Sequence, residues 1–115
     1  MNLTAKEIFD KYQGSASKSL GQNYIFSRDI NRRIVGLAGC LDGKNVLEIG
    51  PGPGGLTVEI LQQNVNSLTL VELDSTWANA WQDLSFDDQK TNVIHQDALK
   101  VDIDNIDIDI IISNL

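Results

Sequence analysis

Apolar and polar positions change rhythm once along this chain, near residue 43. Before that point the spacing is helical. Thr4-Ala5-Lys6-Glu7 has the Thr-x-x-Glu form of a capping box and predicts a short helix to about Tyr12. The polar stretch 13–19, with its Ser and Gly, reads as a loop or arm. From Ser27, an expected N-cap, Ile30, Ile34, Leu37 and Leu41 recur at intervals of four, three and four, which predicts one apolar helical stripe. Asp42-Gly43 then turns the chain.

Beyond it, short apolar runs alternate with helical segments. Strands are expected at 45–49, 68–72, 92–95 and 108–113, and helices at 56–63 and after Asp74 or Ser75. In the last of these Trp77, Trp81 and Leu84 share one face and read as core rather than as a base-stacking platform. Strand–helix alternation of this kind predicts βαβ units: an α/β fold with a parallel sheet and helices on both faces. The expected division is an arm over 1–27 and a sheet domain over 28–115.

Composition narrows the class only modestly. At 115 residues the chain is one domain at most, with an ordinary soluble mixture of 42% hydrophobic and 22% charged residues. No run approaches the ~18 apolar residues of a membrane span, and no basic-then-apolar leader opens it, so a cytoplasmic, membrane-free protein is expected. The single Cys40 fits a reducing compartment and reads as a small buried apolar residue. The net charge of -7 is unevenly spread. Residues 1–35 carry six bases against three acids, and residues 36–115 three bases against thirteen acids. A basic head on an acidic body can receive a polyanion at one end only, or it is simply a solvated surface.

Metal chemistry finds no support. His95 has no neighbouring Cys or second His, and the acids at 102, 104, 107 and 109 fail the calcium-loop pattern, which needs Gly at 107 and Glu at 113 where Asp107 and Ser113 stand. No metal is expected. The informative stretch is Glu48-Ile49-Gly50-Pro51-Gly52-Pro53-Gly54-Gly55, between a strand and a helix, where a doubly wound sheet meets nucleotide-type ligands. Its G-x-G-x-x-G spacing is shared with dehydrogenases. Two details separate the readings. Pro51 and Pro53 lack the N–H groups that would cradle a pyrophosphate. Glu48 brings negative charge, unsuited to phosphates but suited to a ligand carrying a sulfonium and an ammonium. Glu72, 22 residues after Gly50, is placed to accept from ribose hydroxyls. Asp97 and Asn114 close the third and fourth strands at the same edge, with adenine expected near Asp97.

With these residues assembled, the chain closely resembles the ribosomal RNA adenine N6-dimethyltransferase family, of the small-subunit (RsmA/KsgA) type. Lys18-Ser19-Leu20-Gly21-Gln22-Asn23-Tyr24-Ile25 is similar to the family's N-terminal G-Q-N-F-L motif, with conservative changes at 24 and 25. Residues 46–57, VLEIGPGPGGLT, resemble its cofactor motif, Val71-Glu72-Leu73-Asp74 its ribose motif, and Gln96-Asp97-Ala98 its adenine motif. Ser113-Asn114-Leu115 resembles the start of the catalytic N-L-P-Y/F motif. The resemblance implies the N-terminal half of a Rossmann-like methyltransferase domain using S-adenosylmethionine. Asn23, Ile25 and Gly50 would contact the cofactor, Glu72 the ribose, Asp97 the adenine amino group and Asn114 the reacting end. The implied reaction is dimethylation of two adjacent adenosines near the 3′ end of small-subunit rRNA, on immature small subunits, by a protein monomeric at full length. Asn114 would accept a hydrogen bond from the target amine and orient it for in-line attack, the base having left its stack. An intact sheet of this class has about seven strands and a further helical domain, so the segment alone is expected not to methylate RNA. A nicotinamide dehydrogenase, a non-catalytic RNA-binding module of the same fold, and a large-subunit rRNA methyltransferase remain open alternatives at this point.

Overall fold

The computed structural model describes residues 2–13 and 24–113. Within them lie four α-helices and four strands: α1 (Ala5–Gln13), α2 (Arg28–Gly36), β1 (Asn45–Ile49), α3 (Gly55–Ile60), β2 (Ser67–Glu72), α4 (Ser75–Leu84), β3 (Thr91–His95) and β4 (Ile110–Ser113). Two single 3-10 turns, Ala98–Lys100 and Ile103–Asn105, occupy the acidic stretch before β4. None of the described helices is long and apolar enough to cross a membrane.

The four strands form one sheet in the order β3-β2-β1-β4, and every pair is parallel, as the alternation predicts. The chain enters at β1, moves outward to β2 and β3, then returns to the other side of β1 as β4. The winding direction therefore reverses beside β1, and the crevice at the carboxyl ends of its strands is where such sheets take ligands. The two inner strands are buried almost continuously, while β3 and β4 are only partly covered, the pattern of a parallel sheet whose centre is packed on both faces. Asp109 fixes the start of β4: its backbone N–H donates to Asn45 O, and its Oδ2 accepts from Asn45 N, both at 2.8 Å.

Helix starts follow local chemistry closely. The capping box is reciprocal, with Thr4 N donating to Glu7 Oε1 at 3.1 Å and Glu7 N to Thr4 Oγ1 at 3.2 Å. Ser27 caps α2 through Ile30 N, and Asp74, not Ser75, caps α4 through Thr76 N and Trp77 N. Helix α3 is shorter than the 56–63 expected. Its end tightens into three-residue bonds, Gln62 N to Glu59 O and Gln63 N to Ile60 O.

Two sequence expectations are corrected here. Only half of the stripe Ile30–Ile34–Leu37–Leu41 turns inward: Leu41 is fully buried and Ile34 packs against the core. Ile30 is 47% exposed and Leu37 88%, whereas Asn31 and Val35 are 2% exposed. The face turned to α3 is Arg28, Asn31, Arg32 and Val35, spaced i, i+3, i+4 and i+7. It is mostly polar because α3 offers it the buried Glu59, whose two oxygens take Arg28 Nε at 2.8 Å and Arg32 Nε at 3.3 Å. Cys40, expected to be buried, is exposed. Next to it Leu41 turns inward to 0% exposure, its N–H donating to Gln63 Oε1 at 2.8 Å, so the adjacent residue faces out.

Trp77 and Trp81 are core residues, each 1% exposed. Phe9 of α1 stacks on Trp77 with centroids 5.9 Å apart, and Phe26 meets Phe9 edge-on at 5.6 Å. Helix α1 thus buries Ile8 and Phe9 in the same core as the sheet.

The corrected face of α2 makes a direct prediction. Val35→Ala should cost about 2 kcal/mol, the loss of two buried carbons plus a small cavity. Leu37→Ser should stay within about 0.5 kcal/mol of the parent. Urea unfolding of both variants measures this, and the reverse ranking would restore the apolar stripe as the docking face.

Candidate functional site

The glycine turn leaves the carboxyl end of β1 at the point where the winding reverses. Between residues 50 and 54 its backbone donors are spent within the protein. Gly50 N donates to Val71 O at 2.8 Å, Gly52 N to Glu72 Oε1 at 2.9 Å, and Gly54 N to Pro51 O at 2.9 Å. Pro51 and Pro53 have no N–H to offer. From residue 50 to 54, then, every N–H group already has a partner, which leaves only the first N–H groups of α3 to meet an anion. The Gly52 carbonyl is held too, accepting Trp81 Nε1 at 2.7 Å.

Two glycines permit the close packing around this turn. Gly54 sits at φ +94°, and a Cβ there would overlap Trp81 Cζ2. A Cβ on Gly55 would stand 2.7 Å from Ile25 O and 2.8 Å from Asn31 Nδ2. Those last two groups bond each other, Asn31 Nδ2 donating to Ile25 O at 2.9 Å. Asn31 is therefore a buried polar residue with a structural role, tying the segment before α2 to the turn.

A pocket opens beside the turn, walled by Tyr24, Ile25, Asn31, Glu48, Gly50 and Pro51 among others. Tyr24 reaches it from the aromatic cluster, its hydroxyl accepting Trp77 Nε1 at 3.1 Å and its ring lying edge-on to Trp77 at 6.0 Å. Glu48, 2% exposed, forms part of the wall. The Thr57 hydroxyl donates to its Oε1 at 2.5 Å. Burial pushes the Glu48 carboxyl up to about 8, with the Thr57 hydrogen bond opposing and repulsion from Glu72 adding to the rise. Burial beside Glu72 thus works against the negative charge expected of Glu48.

The other expected site residues fall as follows. Ile25 and Gly50 line the pocket with Glu48. Glu72, 7% exposed, closes β2 and bonds two turns at once, Gly52 N through Oε1 and Asp74 N through Oε2 at 3.0 Å. Asp97 lies outside the pocket but at the same edge of the sheet, one residue past Gln96, whose N–H donates to Glu72 O at 3.0 Å. Its Oδ1 accepts Leu99 N at 3.0 Å, capping the first 3-10 turn. Asn23 and Asn114 lie outside the described residues. The residue before Asn114 is tied to the turn, Ser113 Oγ donating to Ile49 O at 3.2 Å. Sequence reasoning missed Asn31, Thr57 and the anchoring of Gly52 by Trp81. Only Asn31 carried a signal, an amide set between Ile30 and Ile34 in a helix.

Comparison with known proteins gives a consistent result. Residues 14–114 match the family model described as ribosomal RNA adenine dimethylase. The chain is 43% identical over 98 residues to the ribosomal RNA small subunit methyltransferase A of Erythrobacter litoralis, covering 84% of this chain and 34% of that protein. It is 47% identical over 92 residues to the protein of the same name from a Wolbachia of Brugia malayi, covering 79% and 35%. The chain thus spans about a third of the length of these relatives. In structure it resembles a dimethyladenosine transferase from Plasmodium falciparum, with a TM-score of 0.66, 24% identity, and coverage of 77% of this chain and 32% of that one. At that identity the likeness supports the fold.

Two predictions come from the turn. Gly54→Ala must accept a left-handed backbone and displace Trp81, costing roughly 2–5 kcal/mol, measurable by urea unfolding. Glu48 should give stability a pH slope. An unfolded glutamate ionises near ~4.3, but the folded one only near 8. The folded state therefore holds one proton more across that window. Its contribution is complete below ~4.3 and falls by about 1.4 kcal/mol per pH unit up to 8. Glu48→Gln should remove this slope, so the stability of the variant relative to the parent rises from pH 5 to pH 8. A constant difference between the two would mean that Glu48 is ionised in the folded protein.

Proposed function

The chain belongs to the ribosomal RNA adenine dimethylase family, and on that premise we propose that it forms the cofactor-binding part of a small-subunit rRNA adenine N6,N6-dimethyltransferase that uses S-adenosylmethionine. The observation that carries this reading is the occupied set of backbone donors at the glycine turn, beside a pocket with a buried acid in its wall. A dinucleotide needs free N–H groups there for its phosphates. S-adenosylmethionine has no phosphate, which suits the turn, and its positive charge suits the acid once that group gives up its proton. The names of the relatives favour the small subunit over the large one.

In this reading Gly50 and Ile25 line the methionine side of the cofactor. Glu72 uses the lone pairs left after its two backbone bonds to accept from the ribose hydroxyls. Asp97 keeps Oδ1 on Leu99 N and offers Oδ2 to the adenine amino group. Asn23 approaches through the N-terminal segment. When bound, the cofactor supplies an electrophilic methyl group on a sulfonium. The chain's own contribution to the reaction is placement: Asn114, next after the anchored Ser113, accepts a hydrogen bond from the adenosine N6 amine and directs its lone pair. Glu72 at the end of β2 and Asp97 just after β3 lie at the carboxyl end of the sheet, which supports this reading. The partner is the rRNA of the immature small subunit, met in the cytoplasm.

The tests separate cofactor from substrate. Titration calorimetry should detect S-adenosylhomocysteine binding and no NAD binding; preference for NAD would overturn the reading. Glu72→Ala should weaken S-adenosylhomocysteine binding by about 1.5–3 kcal/mol, and Asp97→Ala by less. An unchanged dissociation constant would remove Glu72 from the ribose. The full-length protein should transfer labelled methyl groups to undermethylated small subunits, and label found only in large-subunit rRNA would move the assignment to that branch.

A further inference from the structure

Among the described residues, Glu48 has no cation beside it. Facing it are the Thr57 hydroxyl from α3, the Glu72 carboxyl group from β2, and across the pocket the Tyr24 phenol and the Asn31 amide. On β4 its register partner is Ile112. Two of the three arginines of α2, Arg28 and Arg32, are drawn off by Glu59. Thr57 supplies a single hydrogen bond, too little to stabilise a carboxylate sealed from water beside a second carboxyl group. The neutral form needs no counterion, and the closed pocket wall is consistent with it.

We propose that a cationic group of the bound ligand displaces a proton from the Glu48 carboxyl group, so that the pocket exchanges one positive charge for another. This rests on the S-adenosylmethionine reading above and goes beyond it. The exchange makes Glu48 a selector of ligand charge: a cation entering the pocket finds a proton to replace, whereas a neutral or anionic ligand would have to leave Glu48 protonated or face a bare carboxylate. Two groups of the cofactor qualify, the sulfonium and the ammonium. Only the ammonium persists after methyl transfer.

The upward displacement of the Glu48 carboxyl to about 8 sets the readout. At pH 7 binding should release close to one proton, seen in calorimetry as an apparent enthalpy that varies with the ionisation enthalpy of the buffer. Affinity should tighten as pH rises towards 8, by at most tenfold per unit, and level off above it. Glu48→Gln keeps the shape and the Thr57 contact but cannot ionise; it should bind with no proton release and with affinity flat over the same range. Infrared spectroscopy gives a second measurement that does not depend on that variant folding. A buried carboxylic acid carbonyl band should be present at pH 7 without ligand and vanish on saturation.

The two ligands resolve the source of the charge. Release with both S-adenosylmethionine and S-adenosylhomocysteine supports the proposal and assigns the ammonium to Glu48; release with S-adenosylmethionine alone supports it and assigns the sulfonium. Binding of either ligand with no proton released and the acid band retained overturns the exchange while leaving the cofactor reading intact. Failure of both ligands to bind overturns the cofactor reading, and the exchange with it.

Discussion

The Glu72 carboxyl group stands between two turns and bonds both, the glycine turn through Gly52 N and the start of α4 through Asp74 N. A buried carboxyl group is costly to desolvate and is retained only where donors are held against it. Here the donors are backbone groups from segments about 20 residues apart. The turn after β1 and the turn after β2 are therefore fixed relative to each other by one side chain. Trp81 completes the arrangement, because Gly52 gives its N–H to Glu72 and its carbonyl to the indole. Removing either partner would leave a buried peptide group unpaired, at roughly 1–3 kcal/mol.

The same constraint orders the neighbourhood. With Gly52 held, Gly54 lies against Trp81 and Gly55 against Asn31 and Ile25 O, so α2 and the 24–26 stretch dock at a fixed distance from the turn. The aromatic cluster of Phe9, Tyr24, Phe26 and Trp77 carries α1 into that arrangement. A pocket wall made of Tyr24 and Ile25 is thus supported by contacts from α1, α2 and α4. Pre-organisation of this kind lowers the ordering cost that a ligand must meet on binding.

What could be read from the sequence was what depends on a few neighbouring residues. The capping box at Thr4, the cap of α4, the four parallel strands and the phosphate-poor turn all follow from chemistry within one turn or one strand. The docking face of α2 could not be read that way. Its apolar stripe was genuine in the sequence, but α3 presents Glu59, and a buried carboxylate recruits Arg28 and Arg32 ahead of Ile30 and Leu37. Which face wins is decided by a residue 31 positions from Arg28. The upward shift of the Glu48 carboxyl was hidden for the same reason. A formal charge belongs to the residue type, whereas the charge carried in the fold is set by burial, Thr57 and Glu72. Of the two neighbours expected to be buried only Leu41 is, its N–H donating to Gln63 Oε1, and Cys40 beside it faces out.

The charge balance of the basic head changes with the structure in hand. Of its six bases, Lys6 pairs with Asp10, and Arg28 and Arg32 close on Glu59, with Arg32 also 3.5 Å from Asp29. Three of the charges that suggested a polyanion site are thereby shared with acids of the chain itself. The pairs differ in weight. Lys6–Asp10 is exposed on both sides, and such pairs contribute about 0–1 kcal/mol. Glu59, 4% exposed, depends on its arginines far more, since breaking a buried pair leaves an uncompensated charge. The arginines of α2 are first of all a clamp between α2 and α3, and through Asn31 on the same face that clamp reaches the pocket wall. A substitution such as Arg28→Ala would then act on the cofactor side as well as on any RNA contact. Affinity for RNA measured on that variant reports both effects, and only a parallel measurement of cofactor affinity separates them.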